Sequence, residues 1–273
     1  MKHTLILLAA ALICSCTFAA TVDTVVIYSG CMHKKIKCVV IKPYASKIDQ
    51  QHFPAVYLLH GYSDRYDTWV KRVPAIKEYA DQMRLIIVCP DGGFSSWYFD
   101  SPVDSTYKYD SYISKEVVNY IDAHYLTIPD RSHRAIAGLS MGGHGALYLA
   151  LRHSDIFGAA GSMSGGVDLR PFPGEWDIAK RIGDPHKYIE NWQQRSVINM
   201  IGNYPARSLS IMIECGTDDF FYQVNRQLHQ KMVDLKIPHD YVERPGNHSW
   251  EYWANAIEFQ LLFFKKQFQN RVN

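Results

Sequence analysis

Ala135-Ile136-Ala137-Gly138-Leu139-Ser140-Met141-Gly142-Gly143-His144-Gly145-Ala146-Leu147 runs from an apolar strand, through a serine set among glycines, into a helix. Strand, sharp turn and helix in that order are the setting in which a Gly-x-Ser-x-Gly segment presents a nucleophile. Gly138 and Gly142 flank the turn because the chain passes so close to its neighbours there that only the smallest residues fit. Ser140 then stands at the C-terminal end of a strand and at the N-terminus of a helix, where developing negative charge is stabilised.

Outward from this segment, short runs of Val, Ile and Leu alternate with longer amphipathic stretches. Strands are predicted at residues 55–60, 85–89, 135–139, 159–163, 209–214 and 240–243, preceded by an antiparallel hairpin of residues 25–28 and 36–41. Residues 110–124 carry Ile113, Val117, Val118 and Ile121 at helical spacing, and 145–152, 221–235 and 250–268 are also helix-like. Strand, helix, strand in succession predicts an α/β fold: a mostly parallel central sheet covered by helices on both faces. No repeat or linker divides the chain, so residues 21–273 are expected to form a single domain. The stretch 167–203 is less periodic and carries Pro171, Pro173, Gly174 and Pro185, which predicts an irregular insertion or cap over one end of the sheet.

A serine hydroxyl at neutral pH is a poor nucleophile and needs a base, and the base needs a group to orient it. In a sheet of this kind the acid follows a later strand and the histidine lies near the C-terminus. Gly216-Thr217-Asp218-Asp219 follows the strand at 209–214, and Pro245-Gly246-Asn247-His248 follows the last predicted strand. His248 is therefore the candidate base. Asp219 is preferred to Asp218 as the acid, the neighbour being left to solvent or to cap the next helix. The first buried strand ends in His60-Gly61-Tyr62. A backbone N–H just beyond that strand and the one following the nucleophile, those of Tyr62 and Met141, are the expected oxyanion hole. His60 is expected to structure its loop rather than serve as a second base.

Six segments, Leu58-Leu59-His60-Gly61, Val88-Cys89-Pro90-Asp91-Gly92, Ser96-Trp97-Tyr98, Gly138-Leu139-Ser140-Met141-Gly142-Gly143, Cys215-Gly216-Thr217-Asp218-Asp219 and Gly246-Asn247-His248, together resemble the esterase D-like branch of the α/β-hydrolases. That group includes feruloyl and acetyl xylan esterases, tributyrin esterases, S-formylglutathione hydrolases and, more distantly, mycolyltransferases. The resemblance covers nearly the whole chain beyond residue 20. It implies an α/β-hydrolase fold, Ser140 as nucleophile, Asp219 as acid, His248 as base, and the amides of Tyr62 and Met141 for the oxyanion. It also implies that Trp97 borders the cleft and touches substrate. Residues 167–203, where such enzymes vary most, carry no readable motif.

The implied chemistry is two-step acyl transfer through an acyl-enzyme, which needs neither a metal nor an organic cofactor. No CxxC or HExxH occurs, so neither a structural zinc site nor a zincin site is indicated. A formal charge of +2, from 29 basic and 27 acidic residues, offers no footprint for nucleic acid. The 18 Tyr and 6 Trp exceed what a core of this size needs, and part of them is expected to line a sugar- or aryl-binding cleft.

Residues 1–20 read as a signal peptide: Lys2 and His3 precede an apolar run at 5–13 too short to span a bilayer, and cleavage fits after Ala19 or Ala20. Lipid attachment at Cys16 is the competing fate. Export would permit a Cys31–Cys38 bridge across the hairpin, while Cys89 and Cys215 are expected to pack as small hydrophobes. The expected function is that of a secreted serine carboxylesterase acting on feruloyl or acetyl groups of plant polysaccharide. Its rivals are a secreted acyltransferase with the same triad and a non-catalytic carbohydrate-binding protein on the same scaffold.

Overall fold

The computed structural model describes residues 20–44 and 51–270; the proposed export segment up to residue 19, with Cys16, lies outside them. Among the described residues eight strands form one sheet: β1 (Thr21–Ser29), β2 (Lys34–Lys42), β3 (Ala55–Leu59), β4 (Ile86–Pro90), β5 (Arg134–Leu139), β6 (Ala159–Met163), β7 (Ser210–Gly216) and β8 (Asp240–Arg244). Their spatial order is β1-β2-β4-β3-β5-β6-β7-β8. Among the described strands β2 alone runs against the rest, pairing antiparallel with both β1 and β4. All pairings from β4 to β8 are parallel.

The helices are α1 (Thr68–Arg72), α2 (Ile76–Met83), α3 (Tyr109–Ser111), α4 (Val118–His124), α5 (Met141–Arg152), α6 (Ile178–Ile182), α7 (Ile189–Arg195), α8 (Val197–Met200), α9 (Tyr222–Asp234) and α10 (Trp250–Asn270). Successive strand residues point to opposite faces of a sheet. Val56, Leu58, Ala135, Ala137 and Leu139 accordingly pack with Trp69, Ile76, Trp253, Ile257 and Phe264 of α1, α2 and α10. Tyr57, Leu59 and Ile136 pack on the other side with Ile113, Ile121 and Leu147. Because both faces are covered, β3 to β7 read in sequence as continuous apolar runs rather than as alternating ones.

The structure departs from the expected elements in two places. Residues 110–124 are not one uniform helix: α3 opens into a π-helical stretch, Tyr112–Val117, before α4. Ser114 Oγ donates to the Asp110 carbonyl four residues back at 2.7 Å, and a hydroxyl competing for that carbonyl loosens the regular ladder. Residues 167–203 are not simply irregular, since α6, α7 and α8 lie within them. Each has only four to seven residues, too few for an amphipathic repeat to register in the sequence.

The Cys31–Cys38 bridge is absent, and both thiols are free. The hairpin pairs Ser29 with Lys34 and Val25 with Cys38. Cys38 thus lies about 13 Å along β2 from the turn that holds Cys31, beyond the roughly 7 Å that a disulfide spans between Cα atoms. Cys31 Sγ instead faces Glu116 Oε2 at 3.4 Å, and Cys38 is buried against the sheet. Cys89 and Cys215 are buried, and burial pushes both thiols well up from their ordinary value.

Candidate active site

Parallel strands end on the same side of a sheet, so the loops after β3, β5, β7 and β8 converge although they are far apart in the chain. Ser140 sits between β5 and α5 at φ 54° and ψ −117°, a conformation that non-glycine residues rarely adopt. Its N–H donates to Met163 O at 2.9 Å and its carbonyl accepts from His144 N at 3.0 Å, and these bonds hold the strained turn. A Cβ on Gly142 would lie 2.6 Å from the carbonyl oxygens of both Leu59 and His60. Helix propensity alone would make Gly142→Ala stabilising. Those two backbone oxygens reverse the sign, and we expect a loss of about 1–3 kcal/mol, read as a lowered thermal unfolding midpoint. A raised midpoint would contradict the packing at this turn.

The loops carrying Asp219 and His248 are laced together, Thr217 N donating to Arg244 O and Asp218 N to Gly246 O, both at 2.9 Å. His248 lies with Nε2 2.9 Å from Ser140 Oγ and Nδ1 2.8 Å from Asp219 Oδ2. Asp219 is 5% exposed, and its other oxygen accepts the Phe221 N–H at 2.8 Å. Asp218 is exposed. The geometry therefore separates the two aspartates. A carboxylate on Nδ1 selects the tautomer that leaves Nε2 free to accept the serine proton.

Tyr62 follows β3 and Met141 opens α5, and no acceptor among the described residues takes the N–H of either. That leaves both amides free to donate to an oxyanion. His60 is 1% exposed; its Nε2 accepts the Gly92 N–H at 2.7 Å while Nδ1 faces Gly61 O at 2.8 Å. It thus ties the loop after β3 to the one after β4. Among the described residues no group of three or more His, Cys, Asp or Glu side chains is placed to hold a metal ion.

Trp97 is a correction to the sequence-based expectation. It is 1% exposed, with its indole N–H given to Trp176 O at 3.1 Å and its ring against His144, so it supports the cleft from beneath and has no surface left for substrate. The residues that flank the site are others. Phe220 is half-exposed and lies between the indole of Trp176 (5.3 Å, 19° between planes) and the imidazole of His248 (4.1 Å). In the loop after β3, Tyr62 packs edge-on against the half-exposed Phe94 at 4.8 Å. Phe220 follows Asp219 directly and could have been noticed. Trp176, in the aperiodic 167–203 stretch, gave no local signal.

His144, on the first turn of α5, is fully buried among Trp97, Phe99 and Tyr148. Burial drives its pKa down from 6.5 to about 4, against two backbone carbonyls, Arg195 O and Trp97 O, that favour the charged form. Between these values the unfolded chain binds the proton and the folded chain does not, so acid favours unfolding. The contribution is complete above about pH 6.5 and falls by up to ~3 kcal/mol on reaching pH 4. Urea midpoints at pH 7 and pH 4.5 should therefore diverge less in His144→Gln than in the parent. Equal divergence would place the acid sensitivity elsewhere.

The chain is similar to known esterases and acyltransferases. The Esterase family model matches residues 29–264. A solved ferulic acid esterase superposes with a TM-score of 0.80 at 31% identity, covering 92% of this chain and 99% of its own. An acetyl esterase of Caldicellulosiruptor saccharolyticus is 25% identical over 234 residues, 80% of this chain and 87% of the relative. The diacylglycerol acyltransferase/mycolyltransferase Ag85A of Mycobacterium tuberculosis (strain ATCC 25618 / H37Rv) is 29% identical over 241 residues, 75% of this chain and 70% of the relative. The chain is a serine esterase and belongs to the Esterase family, in the esterase D-like branch of the α/β-hydrolases.

Proposed function

We propose that this chain is an exported carboxylesterase that releases feruloyl or acetyl groups from plant polysaccharide by way of a Ser140 acyl-enzyme. The observation that carries the proposal is the unbroken line from Asp219 Oδ2 through His248 to Ser140 Oγ, at 2.8 and 2.9 Å. In this mechanism His248 takes the hydroxyl proton as Ser140 attacks the ester carbonyl, and the amides of Tyr62 and Met141 receive the oxyanion. The imidazolium then protonates the departing alcohol, and water repeats the sequence on the acyl-enzyme. The feruloyl and acetyl alternatives are supported by the ferulic acid esterase and acetyl esterase relatives, and export by the character of residues 1–20.

Release from methyl ferulate and from p-nitrophenyl acetate, measured side by side, tests the acyl specificity. Turnover of both favours a hydroxycinnamoyl pocket, acetate alone a deacetylase, and neither overturns the proposal. An aryl acyl group would lie along Trp176 and Phe220. Phe220→Ala is then expected to raise KM for methyl ferulate by about tenfold, the worth of one aromatic contact, with a smaller effect on the acetate ester. Equal effects on the two would remove Phe220 from acyl recognition. The Ag85A similarity favours acyl transfer as the second reading. Addition of acceptor sugars during turnover separates the two, since a transferase diverts product from acid to new ester.

A further inference from the structure

Arg152 ends α5, about 18 Å along the helix from Ser140 at 1.5 Å per residue. Here α5, the π-helical stretch and α7 enclose a cavity of about 360 Å³ lined by Asp100, Asp110, Lys115, Tyr148, Arg152 and Arg195, among others. Its carboxylates are already engaged. Asp100 accepts from Ser111 N and Oγ, at 3.1 and 2.7 Å. Asp110 accepts from Arg152 Nε at 2.8 Å and from His153. Burial pushes the Asp110 carboxyl up, but those two partners outweigh it and hold the group below its usual range.

Arg195 is left over. Among the described residues it has no carboxylate partner, its buried Nε has no acceptor, and its guanidinium makes one long hydrogen bond, 3.5 Å to Asn191 O, beside the Phe99 ring at 5.8 Å. Burial, helped by the neighbouring charge of Arg152, pushes its pKa down against the pull of Tyr148 and the two aspartates. A guanidinium partly withdrawn from water with no anionic partner is costly, and a bidentate oxyanion is the ligand whose shape satisfies it.

A second cavity, of about 730 Å³, adjoins the first and shares Gln194 and Tyr204 with it. Its wall carries the carboxamides of Gln193, Gln194, Asn199 and Asn203. Carboxamides donate and accept at once, as vicinal sugar hydroxyls require, and the Tyr204 ring offers an apolar face. The joint space is far larger than an inorganic oxyanion.

We propose that the two cavities form one binding site for an acidic oligosaccharide, with a hexuronate carboxylate on Arg195 and neighbouring sugar rings along the carboxamide wall. The site is separate from Ser140 and independent of which ester is cleaved there. Titration calorimetry on the full chain tests it, with trigalacturonate, neutral xylotriose and inorganic phosphate as probes. Trigalacturonate is expected to bind at least tenfold more tightly than either of the others, and Arg195→Gln to weaken it at least tenfold. If Arg195→Gln does not fold, Lys115→Glu, at an exposed position on the same wall, is expected to weaken trigalacturonate at least threefold. Absence of trigalacturonate binding, or affinity unchanged in a folded variant, overturns the proposal. Xylotriose binding as tightly removes the carboxylate from it, and phosphate binding as tightly reduces it to a bare anion site. The readout is binding, so failure here leaves the ester chemistry proposed at Ser140 untouched.

Discussion

Ser140→Ala is expected to lower turnover of p-nitrophenyl acetate by about 10³- to 10⁶-fold while leaving thermal unfolding almost unchanged. The change removes one hydroxyl whose partner is His248 Nε2 at 2.9 Å. It leaves intact the turn, which is held by backbone bonds and by close packing at Gly142. Alanine meets the same positive φ that serine does, so little conformational energy is added or released. Activity that survives would come from the Tyr62 and Met141 amides and from substrate binding alone. His248→Ala should cost a similar factor, and the double variant little more than either single one, because the two groups act as a unit. Initial rates across the three variants decide the matter. Retention of a tenth of parental activity in Ser140→Ala would sink the assignment.

Asp219→Asn should cost about 10⁴ in kcat, whereas Asp218→Asn should stay within about threefold. The carboxylate of Asp219 accepts from two donors at once, the Nδ1–H of His248 and the N–H of Phe221. A carboxamide has one accepting oxygen. Turned toward Phe221, its NH2 group faces Nδ1 and draws the ring proton to Nε2, where it blocks acceptance from Ser140; turned the other way, it opposes the Phe221 N–H. Asp218 is exposed, and its engagement in the loop is through the backbone N–H, which substitution keeps. Comparable losses in the two variants would mean that the acid had been assigned wrongly. Profiles of kcat/KM against pH for both variants give a second readout that a merely structural defect would not produce.

These expectations rest on residues that differ in how far their neighbours in the chain announce them. Ser140 was legible because the apolar strand, the small flanking residues and the helix that position it are contiguous with it. His248 and the Asp218-Asp219 pair were legible as loop residues after recognisable strands. Which aspartate meets the imidazole was not decided by sequence preference alone. The answer depends on the direction of a side chain in a loop bonded to another loop through Gly246 O and Arg244 O. Trp97 was misplaced for a related reason. Its position in the chain is close to that expected of a residue bordering the cleft, but the segment carrying the half-buried Trp176 folds over it.

Local periodicity and turn chemistry by themselves determined the strands and helices of the α/β sheet and the sharp turn at Ser140, since each is written within a window of a few residues. Tertiary structure alone decided the exchange of β3 and β4 in the sheet, the contact between Ser140 and His248 across 108 residues, and the aromatic flank of Trp176 and Phe220. It also decided the breadth of the turn in residues 112–117 and left Arg195 without a carboxylate partner among the described residues. The physical reason is common to all of these. Periodicity records which face of an element is buried, but not which distant element covers it, and these features consist of the identity of that cover.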